Sequence, residues 1–268
     1  MELRDNISRL KEGILALSAG KKPVLLVAVS KNRSPAEILE AYSAGISDFG
    51  ENRMQDALPK IHEVEKVLSN GMKTAKAAAV GMKNTPIPAR KITWHFIGTL
   101  QSNKACDAVS HFDYIHSIDS MKLIDKIAEC QEKLAAREKG SSVHAMRIAN
   151  ATGPDFKKPK CFIQVNISGE ESKHGFKPQD ALPACSYAIS KCLDIVGFMG
   201  MGPETPNAEK SKEAFMLLDS IRNDAEKKFN RKFLISAGMT SDYKIALGCG
   251  ADIVRIGRAI FEGSQGHF

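Results

Sequence analysis

The sequence predicts an α/β fold: a single (β/α)8 TIM barrel over residues 1–268, with a helix ahead of the first strand and two insertions, at about 69–91 and 139–159. Three observations predict it. Residues 24–29 form a six-residue apolar run of mostly branched side chains, the habit of a parallel strand buried on both faces. Seven more short strand-like segments follow, separated by helical stretches, and strict strand-then-helix order gives right-handed crossovers and parallel strands. At 268 residues the chain has the length of one such barrel. A doubly wound open sheet is the alternative, but no G-x-G-x-x-G follows the first strand.

Leu3, Ile7, Leu10, Ile14 and Leu17 recur at helical spacing and make an amphipathic first helix covering one end of the core. After the first strand, Ser34-Pro35-Ala36-Glu37 supplies a capping Ser, Pro at the first helical position and Glu three residues after the cap; Gly45 ends that helix. Further strands are expected at 47–50, 93–97, 114–118, 161–167, 195–199, 233–236 and 253–256, with helices at 52–68, 102–110, 120–138, 178–191, 208–229 and 241–247. The segments 69–91 and 139–159 are too long for ordinary loops. Each runs from a helix into a strand, so both are expected at the barrel face away from the chemistry.

Composition narrows the function classes. Hydrophobic content of 43% and charged content of 26% suit a globular chain, and no apolar run approaches the roughly 18 residues of a membrane span. Met1-Glu2-Leu3-Arg4-Asp5 has no signal-peptide core, so a cytoplasmic protein without membrane partners is expected. The net charge of +7 suits anionic ligands, while the lack of a basic cluster interleaved with aromatics argues against nucleic acid. Cys106, Cys130, Cys161, Cys185, Cys192 and Cys249 form no C-x-x-C pair and are expected as free thiols, neither disulfides nor a zinc site. His62, His111, His116 and His144 lack metal-ligand spacing, so no metal is expected.

Lys31 directly follows the first strand, at the end where α/β proteins bind ligands. An amine held there against an apolar interior is disfavoured as the cation and forms Schiff bases with aldehydes; most strand-end lysines simply point to water. The loops after strands seven and eight, Ser236-Ala237-Gly238-Met239-Thr240-Ser241-Asp242 and Arg255-Ile256-Gly257-Arg258, occupy the usual phosphate positions of such barrels. Gly238 and Gly257 let backbone approach an anion, Thr240 and Ser241 offer hydroxyls, and helix starts offer N–H groups. Read separately, Thr240, Ser241 and Asp242 are ordinary helix caps. Taken with Lys31, the two loops point to a phosphate-bearing aldehyde. Strand alternation lets only one of Trp94 and His95 face the interior, and His95 reads as a packed structural histidine. Glu170, Glu171, Lys173 and His174 read equally as a loop at the mouth of the site or as a solvated charge run.

Five ordered motifs carry a family resemblance: Val27-Ala28-Val29-Ser30-Lys31; Phe49-Gly50-Glu51-Asn52-Arg53; Trp94-His95-Phe96-Ile97-Gly98 with Leu100-Gln101-Ser102-Asn103-Lys104; residues 165–175; and Val254-Arg255-Ile256-Gly257 with Ala259-Ile260-Phe261. In these the chain resembles the YggS/PROSC family of pyridoxal phosphate homeostasis proteins. The resemblance implies a fold-type III barrel like the N-terminal domain of alanine racemase, without its second β domain, holding pyridoxal 5′-phosphate (PLP) as cofactor. It implies that Lys31 carries PLP as a Schiff base and that Asn52 lies beside the ring. Ser236, Met239 and Thr240 would line the site, Thr240 touching phosphate. Gly257 and Arg258 would offer N–H groups to the phosphate, and Arg255 would face the pyridine nitrogen. The family's usual Ser-Met-Gly-Met-Ser reads here Ser236-Ala237-Gly238-Met239-Thr240, which keeps the hydroxyl.

The resemblance implies a PLP carrier or buffer, a monomer meeting PLP-dependent apoenzymes transiently and serving intracellular PLP homeostasis, rather than an enzyme. Arg255 cannot take up a proton to keep the ring nitrogen protonated, which weakens the electron sink of PLP chemistry. Racemisation also needs an acid and a base on opposite faces. The racemase takes its second group, a tyrosine, from the additional domain. Tyr42, Tyr114, Tyr187 and Tyr243 all fall in barrel elements, with Tyr243 alone near the phosphate loops. A low-activity PLP-dependent amino-acid racemase remains the first alternative. A Schiff-base aldolase acting on a sugar phosphate is the second; it gives no reason for Arg255 or Asn52.

Overall fold

Eight parallel strands close into a barrel in sequence order: β1 Leu25–Val29, β2 Asp48–Glu51, β3 Thr93–Phe96, β4 Tyr114–Ile118, β5 Lys160–Val165, β6 Asp194–Gly200, β7 Leu234–Ser236 and β8 Ile253–Ile256. The computed structural model describes residues 2–18, 23–77, 91–140, 157–205 and 207–263. Helices α1 Glu2–Leu17, α2 Pro35–Ser43, α3 Met54–Ala77, α4 Ala105–His111, α5 Met121–Gly140, α6 Ala181–Ser190, α7 Ala208–Phe229, α8 Tyr243–Gly248 and α9 Arg258–Phe261 surround it, with 3₁₀ turns at Ser102–Lys104 and Pro178–Asp180. The expected (β/α)8 barrel is the observed fold.

Alternating side chains divide the apolar residues into two layers. Val27, Phe162, Met199 and Ile253 pack inside the barrel. Their sequence neighbours Ala28, Ile163, Phe198 and Val254 join Phe49, Trp94, Phe96 and Ile115 in the larger layer under the helices. Helix α1 buries Ile7, Leu10 and Ile14 and packs on α2, α8 and α9, the helices flanking the seam where β1 meets β8. Asn6 Nδ2 donates to the Ile260 carbonyl at 3.3 Å, tying α1 to α9.

The local signals produce the expected starts and stops. Ser34 Oγ accepts from the Glu37 N–H at 3.3 Å while Glu37 Oε2 accepts from the Ser34 N–H at 2.8 Å, a complete capping box ahead of Pro35. Gly45, at φ +93°, turns the chain after α2.

Two expectations are corrected. Helix α3 continues through 69–77, which the sequence assigns to the first insertion. Gly71 alone does not stop a helix, since glycine costs only about 1 kcal/mol there, and the following residues through Ala77 are mostly good helix formers. Residues 78–90, and 141–156 of the second insertion, lie outside the described residues. The thiols are not all free: Cys106 and Cys130 form a disulfide, with Cα atoms 5.0 Å apart. They lie 24 residues apart on α4 and α5, so no local spacing announces the pair; side-by-side packing of the two helices creates it. Cys161 and Cys185 are free and buried. Burial raises both thiols, Cys185 to about 12, so neither is a thiolate at neutral pH.

Ser34→Ala should cost about 1 kcal/mol in urea unfolding. The Glu37 carboxylate lies below its ordinary 4.5, chiefly because it accepts the Ser34 N–H. Its share of the capping energy is therefore present above pH 4.5 and lost as pH falls through the lowered folded-state value; the stability difference between the parent and Glu37→Ala should shrink over that window.

Candidate functional site

A cavity of about 590 Å³ opens at the C-terminal ends of the strands. Lys31, Asn52, Met239 and Arg255, four of the residues singled out from the sequence, line it together with Gly98, Gln101 and Gln164. Thr240, Gly257 and Arg258 lie in the adjoining loops, and Ser236 lies beneath, wholly buried.

The seam of the barrel brings these groups together. β1 pairs with β8 from Leu25↔Ile253 to Ala28↔Ile256, which sets the end of β1 beside the loop after β8. A side chain on Gly257 would have its Cβ 3.1 Å from the Val29 carbonyl oxygen, so glycine permits this approach. Lys31, two residues further, is exposed on the turn at the cavity. The sequence leads one to expect Lys31 against the apolar interior; it is instead exposed at the rim. Below it, Ser30 Oγ donates to Glu51 Oε1 at 2.7 Å. Lys60 Nζ donates to the same oxygen at 2.6 Å and to the Ser30 carbonyl at 2.9 Å. Glu51 is fully buried, and this clamp locks the ends of β1 and β2 directly below Lys31 and Asn52. Asn52 in turn is pressed against Gly98: a Cβ there would fall 2.1 Å from the Asn52 carbonyl oxygen.

The loop after β7 is held by Gly238, at φ +96°, where a Cβ would meet Ala246 and Tyr243 at 2.9 Å. Asp242 Oδ1 accepts the Met239 N–H at 2.6 Å, which fixes Met239 over the cavity. Helix α9 starts at Arg258; its Ile260 and Phe261 N–H groups donate to the Gly257 carbonyl, leaving those of Arg258 and Ala259 outside the helical ladder.

Arg255 is 5% exposed and closes the cavity floor. Its Nη1 donates to Ser236 Oγ at 2.6 Å and its Nη2 to the Gly200 carbonyl at 3.2 Å. Burial lowers its pKa to about 10, against a raising influence from Asp242, so it stays a cation at neutral pH. Beneath Ser236 a chain of contacts crosses the barrel interior. Ser236 Oγ lies 2.8 Å from His116 Nδ1, His116 Nε2 lies 2.9 Å from His95 Nδ1, and His95 Nε2 lies 3.1 Å from Asp48 Oδ1. Of Trp94 and His95, it is therefore His95 that faces inward. Burial, then the nearby His95 and Arg255, hold the His116 imidazole well below 6.5, so it is neutral.

The charged stretch after β5 is a folded loop that leaves Glu171 and His174 exposed, and none of Glu170, Glu171, Lys173 and His174 lines the cavity. Asn166 Nδ2 donates to the carbonyls of Glu170 and Lys173 at 2.8 and 3.0 Å. Lys173 Nζ donates to Glu170 Oε1 at 3.0 Å and to the Gly202 carbonyl at 2.9 Å, joining the loops after β5 and β6. None of the four tyrosines lines the cavity. Tyr243 is buried with its hydroxyl near Gly13 of α1, turned away from Lys31.

Sequence reasoning missed Gln164, Met201, Arg53, Gln55 and Lys104, all of which line the cavity. Gln164 is the next-to-last residue of β5 and carries a recognisable signal, a polar side chain in an apolar run. Asp48 and His116 carried the same signal, yet what each polar group meets across the barrel depends on register between strands far apart in sequence.

No protein-family model matches the chain. It is 32% identical over 267 residues, 97% of its length and 94% of the relative's, to the pyridoxal phosphate homeostasis protein of Pseudomonas aeruginosa. The chain belongs to this family. The member from Pasteurella multocida is 30% identical over 97% of both chains. Among solved structures, PipY of Synechococcus elongatus PCC7942 without PLP aligns with a TM-score of 0.74 at 28% identity, covering 97% of this chain and 99% of PipY. The PLP-bound form of PipY gives 0.68 at the same identity and coverage. Alanine racemase of Clostridium difficile 630 shares the fold, with a TM-score of 0.64 at 11% identity; this chain spans 58% of its length.

Gly98→Ala should destabilise the protein by about 1–3 kcal/mol, because its Cβ collides with backbone rather than with a movable side chain. Gly248→Ala, where a Cβ meets nothing within 4 Å, should stay within about 0.5 kcal/mol of the parent. Parallel urea titrations compare the two.

Proposed function

We propose that the protein binds PLP as a Schiff base on Lys31 and acts as a carrier or buffer of the cofactor in intracellular PLP homeostasis. One observation carries the reading: Lys31, Asn52 and Arg255 converge on a single cavity beside the loops after β7 and β8. PLP-bound PipY, which shares 28% of its residues with this chain, supports it. PLP supplies an electrophilic aldehyde and an electron-withdrawing ring when bound.

The residues fit such a group. Lys31 supplies a primary amine at the cavity, and Asn52, fixed by Gly98, flanks the ring. Thr240, Gly257 and Arg258 offer hydroxyl and backbone donors for phosphate, with Ser236 and Met239 shaping the site below and above. Arg255 carries only donors, so it offers a hydrogen bond to the pyridine nitrogen and leaves that nitrogen unprotonated.

A carrier is favoured over a racemase by the cavity's own inventory. Among the described residues, its ionisable lining groups are Lys31, Arg53, Lys104 and Arg255, all basic. Proton exchange on both faces of a bound amino acid needs a second acid–base group opposite Lys31, and the lining supplies no carboxylate, imidazole or phenol for it. In this reading the protein is a cytoplasmic monomer that meets PLP-dependent apoenzymes transiently. No helix among the described residues is long and apolar enough to cross a membrane.

Borohydride reduction of the PLP complex followed by peptide mass mapping should place the label on Lys31, and Lys31→Ala should lose it. A label elsewhere overturns the assignment. Holoprotein incubated with single amino-acid enantiomers should leave their chirality unchanged; sustained racemisation would favour the enzyme.

A further inference from the structure

We propose that Ser236, His116, His95 and Asp48 form a one-way hydrogen-bond relay that fixes the orientation and charge of Arg255 from beneath the cofactor site, making the two histidines positioning residues. The inference rests on the reading of Arg255 as the group facing the PLP ring.

The direction of the relay follows from the donors. A guanidinium has N–H groups only, so Arg255 Nη1 donates to Ser236 Oγ. At the other end the Asp48 carboxylate can only accept, so a neutral His95 donates to it from Nε2. His116 then donates from Nε2 to His95 Nδ1, and the His116 Nδ1 left unprotonated accepts the Ser236 O–H. Every link points from Arg255 towards the Asp48 carboxylate, whose other oxygen accepts from the Ser47 hydroxyl at 2.7 Å. The donor-only guanidinium at one end and the acceptor-only carboxylate at the other thus set both tautomers.

The rings are built for this role. The His95 ring stacks on Tyr114 at 4.4 Å and 5°, and the His116 ring on Phe162 at 4.4 Å and 18°. Ser236, His116 and His95 are wholly buried. β2, β3, β4, β7 and β8 each contribute one member, so the relay runs from the cavity floor to the opposite end of the barrel. The charged or titratable groups around Arg255 are Asp242 at the start of α8, His116 beneath, and Lys31, Arg53 and Lys104 on the same cavity lining. A neutral His116, kept so by burial, His95 and Arg255, agrees with the tautomers.

Two measurements test this. In the apoprotein at pH 7, long-range ¹H–¹⁵N spectra should show both imidazoles neutral and protonated at Nε2 only. An Nδ1–H or doubly protonated His116 overturns the relay, whatever the protein binds. In the holoprotein, His116→Phe keeps a ring against Phe162 but cuts both links. It should weaken PLP binding roughly tenfold and raise the pH midpoint of the bound PLP absorption band, because a loosened guanidinium no longer opposes protonation of the cofactor. Asp48→Asn keeps an acceptor and removes the charge, and should raise the midpoint by less. A merely structural role predicts an unchanged midpoint in both variants, and that result overturns the proposal. If the parent protein takes up no PLP, the Lys31 reading fails, while the apoprotein tautomers still decide the relay.

Discussion

The pairing of β1 with β8 is the contact on which the site depends. Lys31 directly follows the first strand, and Arg255 with the Gly257 loop is carried by the last, more than 220 residues further along the chain. Only closure of the sheet, from Leu25↔Ile253 to Ala28↔Ile256, makes them neighbours. Helix α1 packs over that seam from outside, and Val27 with Ile253 packs it from inside. An open sheet of the same eight strands would leave the lysine and the arginine at opposite edges.

A second constraint is charge. The cavity gathers basic groups, one of them buried at its floor, and burial of a guanidinium is unfavourable unless its donors are satisfied. Ser236 and the Gly200 carbonyl satisfy two of them, and the polar chain to Asp48 continues the compensation through an otherwise apolar barrel interior. The arrangement suits an anionic, phosphate-bearing ligand with a ring acceptor. It supplies little for moving protons between two faces of a substrate.

Much of this was legible along the chain because it is local. The Ser34–Glu37 box, Gly45 and strands β4 and β8 involve residues within a few positions of each other, and the order of elements makes the parallel sheet almost obligatory. Lys31 and Arg255 were legible from their places at strand ends. The extension of α3 was not, because a single glycine is a weak stop against strong helix formers. Nor was the Cys106–Cys130 pair, which depends on how two helices pack.

By itself, then, the sequence determined the strand and helix alternation, the caps, and the family motifs that bring Lys31, Asn52 and the two loops after β7 and β8 into view. Their information is short-range: periodicity, capping and turn chemistry are set by residues in contact along the backbone. Tertiary structure alone decided that Lys31 is exposed at the cavity, that Tyr243 turns its hydroxyl away, and that His95 and His116 link Asp48 to Arg255. The last of these depends on the register of β2, β3, β4, β7 and β8 around a closed barrel. A shift of one residue in any of them would turn the side chain to the other face.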